Sequence, residues 1–117
     1  MTKPTDIQPA ELPTTITAYL KAHAARDTEA ALSAFSPDAV VTDEGRTFHG
    51  TEEVADFLRK AGAEYTYTTT LVGAQRVDAT RWVAVNHLEG NFPGGVVDLK
   101  YHFTLSDNLI TNLDITP

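Results

Sequence analysis

The stretch Ser36-Pro37-Asp38-Ala39-Val40-Val41-Thr42-Asp43-Glu44-Gly45-Arg46-Thr47-Phe48-His49-Gly50-Thr51-Glu52-Glu53-Val54-Ala55-Asp56-Phe57-Leu58 passes from turn to strand to helix. Ser36-Pro37 opens the turn, the β-branched run Val40-Val41-Thr42 reads as a strand from about Ala39 to Asp43, and Glu44-Gly45 breaks it. A helix is launched from Gly50-Thr51, with Val54, Phe57, Leu58 and Ala61 at helical spacing and Gly62 to close it. The strand ends on a carboxylate. Val41 and Asp43, two residues apart, share a strand face, so Asp43 stands beside an apolar side chain wherever that face points. If the face points inward, Asp43 is a candidate catalytic base.

Working back from this stretch, Met1 to Glu11 carries Pro4 and Pro9, offers little to bury and reads as a mobile arm. Leu12, Ile16, Tyr19, Leu20 and His23 recur at helical spacing, with Pro13 tolerated in a first turn. Arg26-Asp27 interrupts the pattern, and Asp27 or Thr28 can cap a second helix bearing Ala31, Leu32 and Phe35. Working forward, the period turns from helical to alternating near Glu64. Tyr65 to Val72 reads as a long curved strand, with Gly73 marking a bulge or bend. Strands are expected at Arg81–Asn91, Val96–Leu105 and Leu109–Ile115, joined by turns at Asp78-Ala79-Thr80, Phe92-Pro93-Gly94-Gly95 and Ser106-Asp107-Asn108. The four form an antiparallel meander.

A hairpin centred on Pro93-Gly94, or one residue later, fixes which side chains share a face. One face takes Trp82, Ala84, Asn86 and Leu88 with Leu99, Tyr101, Phe103 and Leu105. The other takes Val83, Val85, His87 and Glu89 with Asp98, Lys100, His102 and Thr104. Only the first is apolar enough to lie under helices, which places Asn86 and Tyr101 as polar groups in an apolar interior. That composition suits a small-molecule pocket.

With 117 residues the chain fits one domain, able to bury about two thirds of its unfolded surface without metal or disulfide. It contains no cysteine, no apolar run of membrane-spanning length and no signal-peptide core, which fits a cytoplasmic protein with no membrane partner. A net charge of −7 without a Lys/Arg cluster argues against nucleic acid as a partner. The expected division is an arm over residues 1–11 and one domain over 12–117.

Two helices with an Asp between them, a strand ending in a carboxylate, the run Phe48-His49-Gly50-Thr51 leading to Val54 and Phe57, and a curved meander together resemble the nuclear transport factor 2-like (NTF2-like) α+β cone. Within it the chain looks most like the SnoaL-like polyketide cyclase and ketosteroid isomerase branch. The resemblance spans about Leu12 to Thr116 and implies three N-terminal helices packed on a curved, mostly antiparallel sheet. It also implies that Tyr19 matches the isomerases' oxyanion-hole tyrosine and Asp43 their strand-end general base. Where that pattern has a second acid before a His-Phe pair, this chain has Tyr101 before His102-Phe103. A tyrosine donates a hydrogen bond at neutral pH, so the donor function is kept, whereas steroid isomerisation in particular is not implied.

The implied chemistry is proton abstraction next to a carbonyl by Asp43, with Tyr19 and Tyr101 bonding the developing oxyanion. Asn86, Trp82, Leu88, Leu99, Phe103 and Phe57 would bind a small apolar carbonyl compound. No cofactor is expected. His87, His102 and Glu89 share the outer face without a strict ligand spacing, so no metal is expected either; that face, with Val83 and Val85, is instead expected to form a homodimer. His49 reads as a hydrogen-bonding turn residue, and Glu52, Glu53 and Asp56 as a solvated helix face. Three functions stay open: an isomerase or cyclase acting by enolisation, a noncatalytic ligand-binding or accessory protein using the same pocket, and an interaction module.

Overall fold

A computed structural model describes residues 4–43, 45–61 and 66–117. Helix α1 (Thr14–Ala24) buries Ile16, Tyr19 and Ala22 along one stripe. It ends where the Asp27 amide donates to the Ala22 carbonyl at 2.9 Å and the Arg26 amide to His23 at 3.0 Å, a pattern that holds Arg26 in the left-handed region at φ 58°. Asp27 then caps α2 (Thr28–Leu32), its Oδ1 accepting from the Ala30 amide at 3.1 Å. Helix α3 (Gly50–Ala61) buries Val54, Phe57 and Leu58, while Glu53 Oε1 accepts the His49 amide at 3.0 Å.

The strands are β1 (Thr5–Ile7), β2 (Phe35–Asp43), β3 (Arg46–His49), β4 (Tyr67–Arg76), β5 (Arg81–Gly90), β6 (Val96–Ser106) and β7 (Leu109–Thr116). They form one sheet in the order β1-β4-β5-β6-β7-β2-β3. The β2–β7 pairing is parallel and every other is antiparallel. The helices cover one face, where Tyr19 meets Phe103 edge to face at 5.7 Å between ring centroids, and Ile16, Val41, Ile110 and Leu113 are sealed between the layers. The α+β reading and the helix-covered, mostly antiparallel sheet therefore hold.

Four details differ from the sequence reading. Residues 5–11, read as part of an arm, hold β1, paired with β4 at Thr5↔Arg76 and Ile7↔Ala74, followed by a 3-10 turn at Pro9–Glu11. Besides the main-chain pairing, Ile7 packs against the core and Gln75 Nε2 donates to Asp6 Oδ1 at 2.9 Å. Phe35, read as helical, begins β2 beside Ile110, because α2 stops after one turn and Pro37 is absorbed by an irregularity between Phe35 and Val40. Strand β3 went unread: Arg46-Thr47-Phe48-His49 is too short to show a period, and only folding back on β2 defines it. The β5–β6 hairpin is centred between Phe92 and Pro93, one residue earlier than expected, yet Ala84↔Tyr101 and Asn86↔Leu99 keep the parity. The expected bulge is present, since β4–β5 pairing shifts register between Leu71 and Gly73. Gly62 and Tyr65 lie outside the described residues.

Candidate functional site

Strand register builds the site. Asp43 is paired with Ile115, Ile115 with Tyr101 and Tyr101 with Ala84, so these four residues form one row across the helix-covered face. In the next row toward the core lie Val41, Leu113, Phe103 and Trp82. The Asp43 and Tyr101 backbones are thus two strand spacings apart, about 10 Å, with Ile115 as the floor between them. Asp43 is half-buried at the end of β2, and Tyr101 is buried. Asn86, also buried, lies one pair along β5 toward the hairpin, opposite Leu99.

Tyr19 reaches the same interior from α1. Its ring is held by Phe35 at 5.3 Å, by Phe103, and by a stacked His23 at 5.7 Å, and its hydroxyl is fully buried without a hydrogen-bond partner. The Asn86 Nδ2 is a second buried donor with no partner. Its amide lies close enough to Tyr101 to favour the phenolate slightly, but no geometrically satisfied hydrogen bond forms from Nδ2. Leaving polar atoms this way costs on the order of 1–3 kcal/mol each, a cost that a bound oxygen would relieve.

The electrostatics bind these groups into one cluster. Burial pushes the Tyr19 hydroxyl well up, and the charges of Tyr101, Tyr67 and Asp43 add to the rise. Tyr101 is raised by burial, then by Tyr67 and Asp43. Tyr67 is raised by burial against the opposing pull of Arg26, whose guanidinium lies 6.0 Å over its ring. All three phenols therefore stay protonated at neutral pH and remain donors. His23 is pushed down by burial and is neutral there.

A cleft of about 840 Å³ opens at the edge of this cluster, lined by Asp43, Leu99, Ile115, Val97 and the hairpin residues Phe92 and Pro93. Of the residues expected to form the site, Asp43 and Leu99 line the cleft, while Tyr19, Tyr101 and Asn86 lie buried away from its walls. Leu88 and Phe103 are buried on the helix-covered face. Trp82 packs on the core and also lines a separate recess of about 360 Å³ with Arg81 and His102. Phe57 packs against Phe48, at 5.2 Å between ring centroids, so it anchors α3 to β3.

Sequence reasoning missed Tyr67 and Ile115. Tyr67 pairs with Gly90 and shares a face with Thr69 and Leu71, opposite Leu88 and Asn86. A methyl group at Gly90 would overlap the Thr66 carbonyl and Tyr67, so glycine permits that close strand contact. The pairing of β4 with β5 was the signal, concealed by the bulge that reverses parity at Val72. On the outer face, His87 Nδ1 lies 2.6 Å from Asp98 and His102 Nε2 3.1 Å from the Thr116 hydroxyl. Among the described residues no group of three or more His, Asp or Glu is placed to hold a metal, and no helix is long and apolar enough to cross a membrane.

The helix-covered, curved mixed sheet is that of an NTF2-like protein. The SnoaL-like domain family matches residues 16–113, and the chain belongs to that family. It is similar to a candidate polyketide cyclase from Sinorhizobium meliloti, with 32% identity over 94% of this chain and 100% of that one and a TM-score of 0.87. A protein of ketosteroid isomerase-like fold from Catenulispora acidiphila, in complex with trimethylamine, shares 19% identity over 90% of this chain and 85% of its own, with a TM-score of 0.78. A Mycobacterium tuberculosis protein in complex with estradiol-17beta-hemisuccinate shares 20% identity over 88% and 90%, with a TM-score of 0.73. No functionally curated protein matches the chain.

Proposed function

We propose that this protein binds a small carbonyl compound in the interior reached from the Asp43 cleft and enolises it. Asp43 takes the proton from the carbon next to the carbonyl. Tyr19 and Tyr101 donate hydrogen bonds to the oxygen as it becomes anionic, and the enolate then regains a proton at another carbon or attacks a second carbonyl, giving isomerisation or ring closure. The observation that carries this reading is the buried, unpartnered Tyr19 hydroxyl in a cluster that also contains Asp43 and Tyr101. Support also comes from the likeness to a candidate polyketide cyclase and from a fold relative that holds a steroid ester.

The test is α-proton exchange into D2O, followed by NMR over a panel of cyclic and aryl ketones. Wild type is expected to exchange the α-protons of those it binds, and Asp43→Asn to lose about 100-fold or more of the rate. Binding without exchange would favour the second reading, a noncatalytic ligand-binding or accessory protein, which is supported by the absence of Tyr19 and Tyr101 from the walls of the open cleft. We further propose a homodimer through the outer sheet face, where Val85, His87 and His102 are half-buried in the single chain. Light scattering that found only monomer at high concentration would exclude it.

A further inference from the structure

Arg26 occupies an unusual position. It stands at the left-handed site closing α1, φ 58°, where glycine is the favoured residue because a Cβ is strained there. Its guanidinium extends over Tyr67, and among the described residues it makes no ion pair. Beside it is a recess of about 130 Å³ between the three helices, lined by His23, Arg26, Asp27, Thr28, Leu58 and Arg59. Two of the charges there are already engaged: Asp27 caps Ala30, and Arg59 pairs with Asp56 at 3.1 Å. The Asp27 carboxylate keeps its charge in that bond, and Arg26 is the lining cation that forms no ion pair among the described residues. The recess also backs onto the tyrosine cluster, since His23 stacks on Tyr19 and Arg26 lies over Tyr67.

We propose that Arg26 makes this recess a subsite for a carboxylate on the ligand, so that the preferred ligands are keto acids whose ketone reaches the tyrosine cluster. This rests on the carbonyl-binding reading above. The Arg26 guanidinium, on an exposed residue, presents paired N–H donors in the plane that a carboxylate matches. At about 130 Å³ the recess is of a size for a substituent such as a carboxylate. In a chain of net charge −7, a local cation is what allows an anionic ligand to approach.

The experiment compares acetylnaphthoate with its methyl ester by titration calorimetry on wild type, Arg26→Gln and Arg26→Gly. Wild type is expected to bind the carboxylate about tenfold more tightly than the ester, a preference that shrinks with salt. Both variants should lose the preference, chiefly through weaker binding of the carboxylate. Because glycine suits the left-handed position, Arg26→Gly separates loss of the charge from loss of the fold. If the ester binds but the carboxylate is not preferred, or if the preference survives in Arg26→Gln, the inference is overturned and the carbonyl-binding reading stands. If wild type binds neither probe, both are overturned.

Discussion

Asp43 and Tyr101 stand in one row of the sheet, on either side of Ile115, through the pairings Asp43↔Ile115 and Tyr101↔Ile115. The acid and the phenol are thereby fixed by two ladders of main-chain hydrogen bonds, one parallel and one antiparallel, and not by loop conformation. A ligand lying over Ile115 would have a base on one side and a donor on the other. The register also determines which substitution closes that gap.

Ile115→Trp is expected to fill the space between Asp43 and Tyr101. Ketone affinity should fall at least about tenfold, and stability should change by roughly 1–3 kcal/mol or less, since Ile115 borders an open cleft that can take the larger ring. Calorimetric titration and urea denaturation measure the two effects separately.

Tyr19→Phe keeps the contacts with Phe35 and Phe103 and removes a buried hydroxyl that has no partner. The free protein should gain about 1 kcal/mol of stability, while ketone affinity falls. A loss of stability on urea denaturation would mean that the hydroxyl is satisfied in the native state.

Arg26→Gly relieves a left-handed residue bearing a Cβ. A gain of roughly 1 kcal/mol is expected, the strain relief being partly offset by the greater freedom of glycine in the unfolded chain. Thermal unfolding at neutral pH checks it.

Two histidines give opposite pH dependences. His23 is pushed down by burial, so the unfolded chain takes up its proton first, and stability is intact above the ordinary histidine value of about 6.5 and lost as pH falls below it. His87 is raised by its hydrogen bond to Asp98, with Glu89 adding to the rise, so its small contribution is present below about 6.5 and lost as pH climbs through the folded value. Urea midpoints at pH 5 and 8 should show a smaller acid-side loss in His23→Leu and a smaller alkaline-side loss in His87→Gln.

The faces of β5 and β6 were legible because side-chain parity survives a one-residue error in hairpin register, and so Asn86, Tyr101 and Phe103 fall where the alternation puts them. Asp43 was legible as the neighbour of Val41. Tyr67 was not, because the bulge near Gly73 changes which residues of β4 face inward, and a bulge can be suspected from sequence without its parity being known. Strand β3 and the parallel pairing of β2 with β7 depend on partners distant in sequence and leave no local period. Arg26 was visible only as a break between helices: its left-handed backbone and its reach to Tyr67 emerge from the closure of α1 on the sheet.

A crystal structure with a phenol bound as an enolate mimic tests the proposed enolisation site directly. The phenol oxygen is expected at roughly 2.5–2.7 Å from both the Tyr19 and Tyr101 hydroxyls, with the ring over Ile115 facing Asp43. A phenol seated only in the outer cleft against Phe92 and Pro93, with the Tyr19 hydroxyl still unpartnered, would contradict it.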